Sequence, residues 1–176
     1  MGVTLVDGDG DFAVFVRQHA RSLFGTAYLL TGDGGRSEEL VQDTLARLYP
    51  RWDRVVAAEA PLAYVRRALV NRFLSAQRRP AARELALSEL HDQAAPGDLA
   101  DGVTDRGMLS QLLRTLPERQ RAALVMRYFH DLTDDEIATF LGCRPGTVRS
   151  LLSRGLEALR ARATDPDHTL KGGARP

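Results

Sequence analysis

Leu132-Thr-Asp-Asp-Glu-Ile-Ala-Thr-Phe-Leu-Gly-Cys-Arg-Pro-Gly-Thr-Val-Arg-Ser-Leu-Leu-Ser-Arg-Gly-Leu-Glu-Ala-Leu-Arg160 decides how the rest of the chain is read. Thr133 and Glu136 have the spacing of a capping box, so a helix starts there. Ile137, Ala138, Phe140 and Leu141 fill it, and Gly142 stops it. Pro145 then opens a second helix at the one helical position proline tolerates. Short helix, tight turn and second helix make a helix-turn-helix. In the second helix Val148, Leu152, Leu156 and Leu159 recur at three and four and face inward. Thr147, Arg149, Ser150, Ser153 and Arg154 fall on the exposed side near its start, where a recognition helix meets base edges and phosphates. Its run to about Arg162 spans roughly 27 Å at 1.5 Å per residue, enough to lie in a major groove.

Upstream, Leu109, Leu112, Leu113 and Leu116 mark a helix closed by Pro117. Glu118 to Phe129 forms another, with Ala122, Val125, Met126 and Phe129 inward. In the first half, Phe12, Phe15, Val16, His19, Leu23 and Ala27 give a helical stripe with Asp11 as N-cap. Thr31-Gly-Asp-Gly-Gly35 ends it as a plain turn, since no Gly-Lys-Ser/Thr follows to make a phosphate loop. Ser37 is the expected N-cap of the next helix, which carries Leu40, Val41, Thr44, Leu45 and Leu48 inward and ends at Pro50. Pro61 opens a third, with Leu62, Val65, Leu69, Phe73 and Leu74 as its apolar stripe.

That third helix has a basic side: Arg66, Arg67, Arg72, Arg78, Arg79, then Arg83, with no acid between Pro61 and Arg83. The sign then reverses. Residues 84–105 hold Glu84, Glu89, Asp92, Asp98, Asp101 and Asp105 and no Lys or Arg, the composition of an acidic linker. A short helical piece is expected near Leu85–Leu90. No segment alternates like a strand. The expected fold is all-α: two small helical domains, 11–83 and 108–162, joined by the linker 84–107, with a solvated tail before them and a loose one at 163–176.

The chain's 176 residues, 44% apolar and 27% charged, suit folded domains rather than disorder. The net charge of +1 says little, but Lys171 is the only lysine among 24 basic residues, and arginine's planar fork suits phosphates and guanine edges. No apolar run approaches the ~20 residues of a membrane span, and no secretory signal opens the chain, which points to the cytoplasm. Asp7, Asp9 and Asp11 do not form a calcium loop, because Phe12 and Gln18 stand where it needs Gly and Glu. His19, His91, His130 and His168 make no metal spacing with Cys143, and no nucleophile elbow or phosphate loop is present. Neither an enzyme nor a cofactor or metal is expected. Cys143, the single cysteine, reads as a small packing residue in the turn.

Four segments together resemble one family. Glu38-Glu-Leu-Val-Gln-Asp-Thr-Leu45 resembles the acidic segment with which bacterial sigma factors grip RNA polymerase core. Tyr64-Val-Arg-Arg-Ala-Leu-Val-Asn-Arg-Phe73 resembles the promoter-melting helix of the extracytoplasmic-function group. Leu116-Pro-Glu-Arg-Gln-Arg121 and Gly146-Thr-Val-Arg-Ser150 resemble that group's second domain, and the wording is most similar to the short actinobacterial branch called SigE-like. The resemblance covers about residues 11–162. It implies a sigma factor that binds polymerase core and directs promoter recognition, DNA melting and initiation. By that resemblance Glu39, Gln42 and Asp43, with Leu40 and Leu45 as apolar anchors, bind core. Arg66, Arg67, Asn71, Arg72, Ser75, Arg78 and Arg79 meet the single-stranded minus-ten element, Asn71 at the family's base-reading position. Residues 53–60 form the loop around a flipped base. Thr147, Arg149, Ser150, Ser153 and Arg154 meet the duplex minus-thirty-five element. The implied partners are polymerase core, promoter DNA and an anti-sigma factor, with the free chain monomeric. A stand-alone helix-turn-helix regulator and a non-initiating sigma decoy are the alternatives.

Overall fold

The computed structural model describes residues 8–76 and 103–164, which fall into two compact units. Every regular element among the described residues is helical. The first unit holds α1 (Gly8–Thr31), α2 (Gly34–Leu48), a 3-10 turn (Tyr49–Arg51), α3 (Trp52–Val56) and α4 (Pro61–Ala76). The second holds α5 (Val103–Arg114), α6 (Glu118–Phe129), α7 (Asp134–Leu141) and α8 (Pro145–Ala163). The expected helical piece near Leu85–Leu90, most of the linker, and the tail beyond Thr164 lie outside the described residues.

In the first unit α1, α2 and α4 pack on one another. Leu23, Ala27 and Leu30 of α1 meet Leu40, Leu45 and Leu48 of α2 and Val65, Leu69 and Phe73 of α4 in the buried core. Each fully buried leucine contributes about 1.5–3 kcal/mol over its exposed state.

Helix α1 begins at Gly8, so Asp11 lies inside the helix and is not its N-cap. Tertiary packing explains the earlier start. Phe12 meets Tyr49 and Trp52 edge-on, both at 5.0 Å, and Phe15 meets Trp52 at 4.9 Å. Those ring contacts outweigh the poor helix propensity of the glycines. Gly32, at φ 68°, ends α1 in the left-handed region.

The N-cap of α2 is Asp33 rather than Ser37. Its carboxylate accepts the Arg36 N–H at 2.8 Å. Ser37 is buried one turn in, where its hydroxyl donates to the Asp33 carbonyl and pairs with Thr31 Oγ1 at 2.8 Å. Gly34 and Gly35 therefore belong to α2, not to the turn. Pro50 does end α2 as an α-helix, but the chain continues as the 3-10 turn into α3.

In the second unit α6 is central: Arg121 through Met126 are buried consecutively, with α5, α7 and α8 packed around them. Helix α5 starts at Val103, within the stretch expected to be linker. Ser110 and Leu113 further along it are buried. Phe129 was expected inward but is 45% exposed. The chain reverses just beyond it, with Asp131 at φ 52° and the Leu132 N–H returned to the Met126 carbonyl at 3.2 Å.

Candidate nucleic-acid interface

The second unit carries its site on α7 and α8. The capping box forms as its spacing dictates: Thr133 Oγ1 accepts the Glu136 N–H at 3.3 Å, and the Glu136 carboxylate accepts the Thr133 N–H at 2.7 Å. The Thr133 backbone and side-chain donors hold the Glu136 carboxyl below its usual range. Gly142 takes φ 59° at the end of α7, and the Cys143 N–H returns to the Ala138 carbonyl at 3.0 Å. Cys143 is half-buried there. Pro145 sits in the first turn of α8.

Helix α8 then shows two faces. Val148, Leu152 and Gly155 are buried. Thr147, Arg149, Ser150, Ser153 and Arg154 are all exposed, within its first ten residues. The Ser150 hydroxyl donates to the Gly146 carbonyl at 3.1 Å. Arg149 keeps 72% of its side chain exposed, with Nε 4.0 Å from Asp134 Oδ2. A face of small hydroxyls between arginines, on a helix held by its opposite side, can enter a groove without reorganising.

Three arginines of α6 build this arrangement, and sequence reasoning missed all three. Arg127 donates to the Leu132 carbonyl at 2.8 Å and pairs with Asp134, fixing the start of α7. Arg119 donates to the Leu141 carbonyl at 3.0 Å, fixing its end. Arg121 is buried and donates to the Arg114 and Leu116 carbonyls at 3.1 and 3.0 Å, satisfying the end of α5. Burial pulls its pKa down, offset in part by Glu118. In the sequence, arginines that brace backbone carbonyls look the same as arginines that meet a ligand.

In the first unit the basic side of α4 divides. Arg67, Asn71 and Ser75 are exposed and follow one another at four-residue spacing, so they share a face. Arg66 turns toward α1, where its guanidinium donates to Ser22 Oγ at 2.8 Å. Arg72 turns toward α2 and pairs with Asp43. The absence of acids between Pro61 and Arg83 therefore does not leave Arg72 unpaired, because Asp43 approaches from a neighbouring helix. Arg78 and Arg79 lie outside the described residues.

On α2, Glu39 and Gln42 are exposed, while Asp43 is partly covered and also accepts from Arg47 at 3.0 Å. Burial tends to raise the Asp43 carboxyl, but hydrogen bonds from Arg72 and Arg47, with their charges, hold it below its ordinary value. Leu40 and Leu45 are only 9% and 8% exposed and belong to the core of the unit. They are not available as surface anchors. The expected loop 53–60 is also revised. Asp53 to Val56 lie in α3, with Val55 fully buried, so only the turn before Pro61 remains as loop.

Two family matches span these units: sigma-70 region 2 over residues 15–84, and sigma-70 region 4 over residues 106–159. The chain is 32% identical to an RNA polymerase sigma-E factor of Streptomyces avermitilis, over 85% of this chain and 83% of that protein. It is 29% identical to the extracytoplasmic-function sigma factor SigL of Mycobacterium tuberculosis, over 81% of this chain and 83% of that protein. Among solved structures it is similar to the sigma factor RpoE of Bartonella quintana, determined in complex with the anti-sigma factor NepR. The TM-score is 0.69 and the identity 25%, over 88% of this chain and 98% of that one.

Proposed function

The chain belongs to the RNA polymerase sigma factors, in their extracytoplasmic-function group, and from that premise we propose which of its surfaces does what. It is a non-catalytic initiation factor whose partners are polymerase core and promoter DNA, and it acts where polymerase acts, in the cytoplasm. An anti-sigma factor is a further partner, of the kind bound to the Bartonella relative.

The first unit engages core through the exposed Glu39 and Gln42 side of α2, with Asp43 at the edge of that surface. Leu40 and Leu45 support the helix from within. The same unit reads the minus-ten strand along Arg67, Asn71 and Ser75, flanked by Arg66 and Arg72. Asn71 has a donor and an acceptor for a base edge, and the arginines meet phosphates. Arg78 and Arg79, next in the sequence, are proposed to meet the same strand. The second unit lays α8 in the major groove of the minus-thirty-five element through Thr147, Arg149, Ser150, Ser153 and Arg154.

One observation carries this reading furthest. The five α8 residues implied by the family resemblance are all exposed on one helix, while Val148, Leu152 and Gly155 opposite them are buried. The test is size-exclusion chromatography of the chain mixed with purified bacterial polymerase core. Co-elution at about one copy per core is expected. A chain that is folded by circular dichroism yet elutes apart from core would overturn the proposal.

A further inference from the structure

The hydrogen bond between Arg66 and Ser22 ties α4 to a helix that no DNA-reading role has been given. Both helices are unusual in charge. Residues 12–32, nearly all of α1, contain no Asp or Glu, and neither does α4. Apart from Asp9 and Asp11 in the first turn of α1 and Asp33 ahead of α2, the acids on the helices of this unit stand on α2 and around α3. Arg66 is the junction. Its Nε is buried without a hydrogen-bond partner, and its guanidinium meets a neutral hydroxyl rather than a carboxylate. Burial pulls its pKa down, and no ion pair offsets this among the described residues. Such a group attracts an anion from solution.

The surface beside it on α1 is suited to a chain of phosphates. Gln18, Arg21, Ser22 and Gly25 share one side of the helix by its periodicity. Gln18 and Arg21 are exposed, and Arg21 joins no ion pair among the described residues. Gly25 is exposed in mid-helix, with open space where a Cβ would project. A glycine weakens a helix at such a place, but it lets another backbone come close.

We propose that α1 is a second DNA-contacting element, with Arg21 and Gln18 continuing the phosphate path of the promoter single strand from Arg66, which Ser22 holds in place. This rests on the reading of the first unit as the part that meets the minus-ten strand. Arg21 makes a direct charge contact. Ser22 is a positioning residue that acts through Arg66.

The test is binding of the full chain to a fluorescent, mixed-sequence, single-stranded oligodeoxynucleotide, titrated from about 50 mM to about 1 M salt. Each phosphate contact on a single strand contributes about 0.7 to the slope of log affinity against log salt. Arg21→Gln is therefore expected to lower the slope by about 0.7 and to weaken binding about eightfold at about 50 mM salt. Ser22→Ala keeps the Arg66 charge, so it should lower affinity and leave the slope unchanged, with Ser22→Thr restoring the affinity. Arg51→Gln removes the same charge from an exposed site off both helices and sets the background. An Arg21→Gln effect no larger than that of Arg51→Gln would overturn the proposal. So would a wild-type chain that fails to bind the strand. Co-elution with core is measured separately, so failure of the α1 path and failure of the sigma-factor reading are distinguishable.

Discussion

Replacing Gly155 with alanine tests how closely α8 is seated on the centre of its unit. A Cβ at Gly155 would stand 2.9 Å from Leu124 Cδ1, 3.4 Å from Leu124 Cγ and 3.6 Å from Gln120 Cβ. In a helix interior alanine is favoured over glycine by about 1 kcal/mol. Against this, the added methyl group must displace Leu124, which is 3% exposed and has little room to move. Overpacking of this kind costs about 1–3 kcal/mol. The balance is a loss of up to about 2 kcal/mol in the second unit. Deleting the obstacle should reverse the sign. Leu124→Val removes both δ carbons at the cost of roughly a buried methylene and the space it leaves. On that background Gly155→Ala should stabilise by about 1 kcal/mol, its helix propensity now being unopposed. The two sites would then show a coupling of about 1–3 kcal/mol. Urea unfolding followed by far-ultraviolet circular dichroism reads the change. Trp52, the only tryptophan, is buried in the first unit, so its fluorescence transition should stay fixed. Equal cost of Gly155→Ala in both backgrounds would refute the reasoning, as would stabilisation of the wild-type chain by the full propensity gain.

Asp43 gives the first unit an acid-dependent component. Its carboxyl is depressed in the folded chain, so its stabilisation is present above the unfolded value of about 3.9 and is lost as pH falls through the folded value. Asp43→Asn should remove that part of the acid transition followed by Trp52 fluorescence. Thr133→Ala removes the α7 cap and should cost about 1 kcal/mol, read as faster amide exchange along α7. Arg149→Glu and Arg154→Glu should each abolish binding to the duplex minus-thirty-five element while co-elution with core persists, since a good base contact is worth about 1–3 kcal/mol. Leu45→Ala should cost about 2–5 kcal/mol and lower the Trp52 midpoint, whereas Glu39→Lys should weaken co-elution with core and leave that midpoint in place.

Much of the fold was legible in residue order because its signals are local. Thr133 and Glu136 form a capping box in any chain that lets them meet, Gly142 takes the left-handed turn, and Pro61 and Pro145 start helices by their own ring geometry. The inward faces of α2, α4 and α8 follow from a period of 3.6, and so do the exposed positions of Arg149, Ser150 and Arg154. The tertiary structure decided whatever depends on a partner distant in sequence. Phe12 and Phe15 start α1 early because Tyr49 and Trp52 come to meet them. Arg72 turns inward because Asp43 of α2 stands beside it, and Arg66 because Ser22 of α1 does. Arg119 braces the Leu141 carbonyl 22 residues away, which only folding brings within reach, while Arg121 and Arg127 reach carbonyls five residues away around the ends of α6. An arginine side chain is long enough to serve its own fold or a ligand. Its sequence neighbours do not distinguish the two uses, because the partner that does so arrives from another helix.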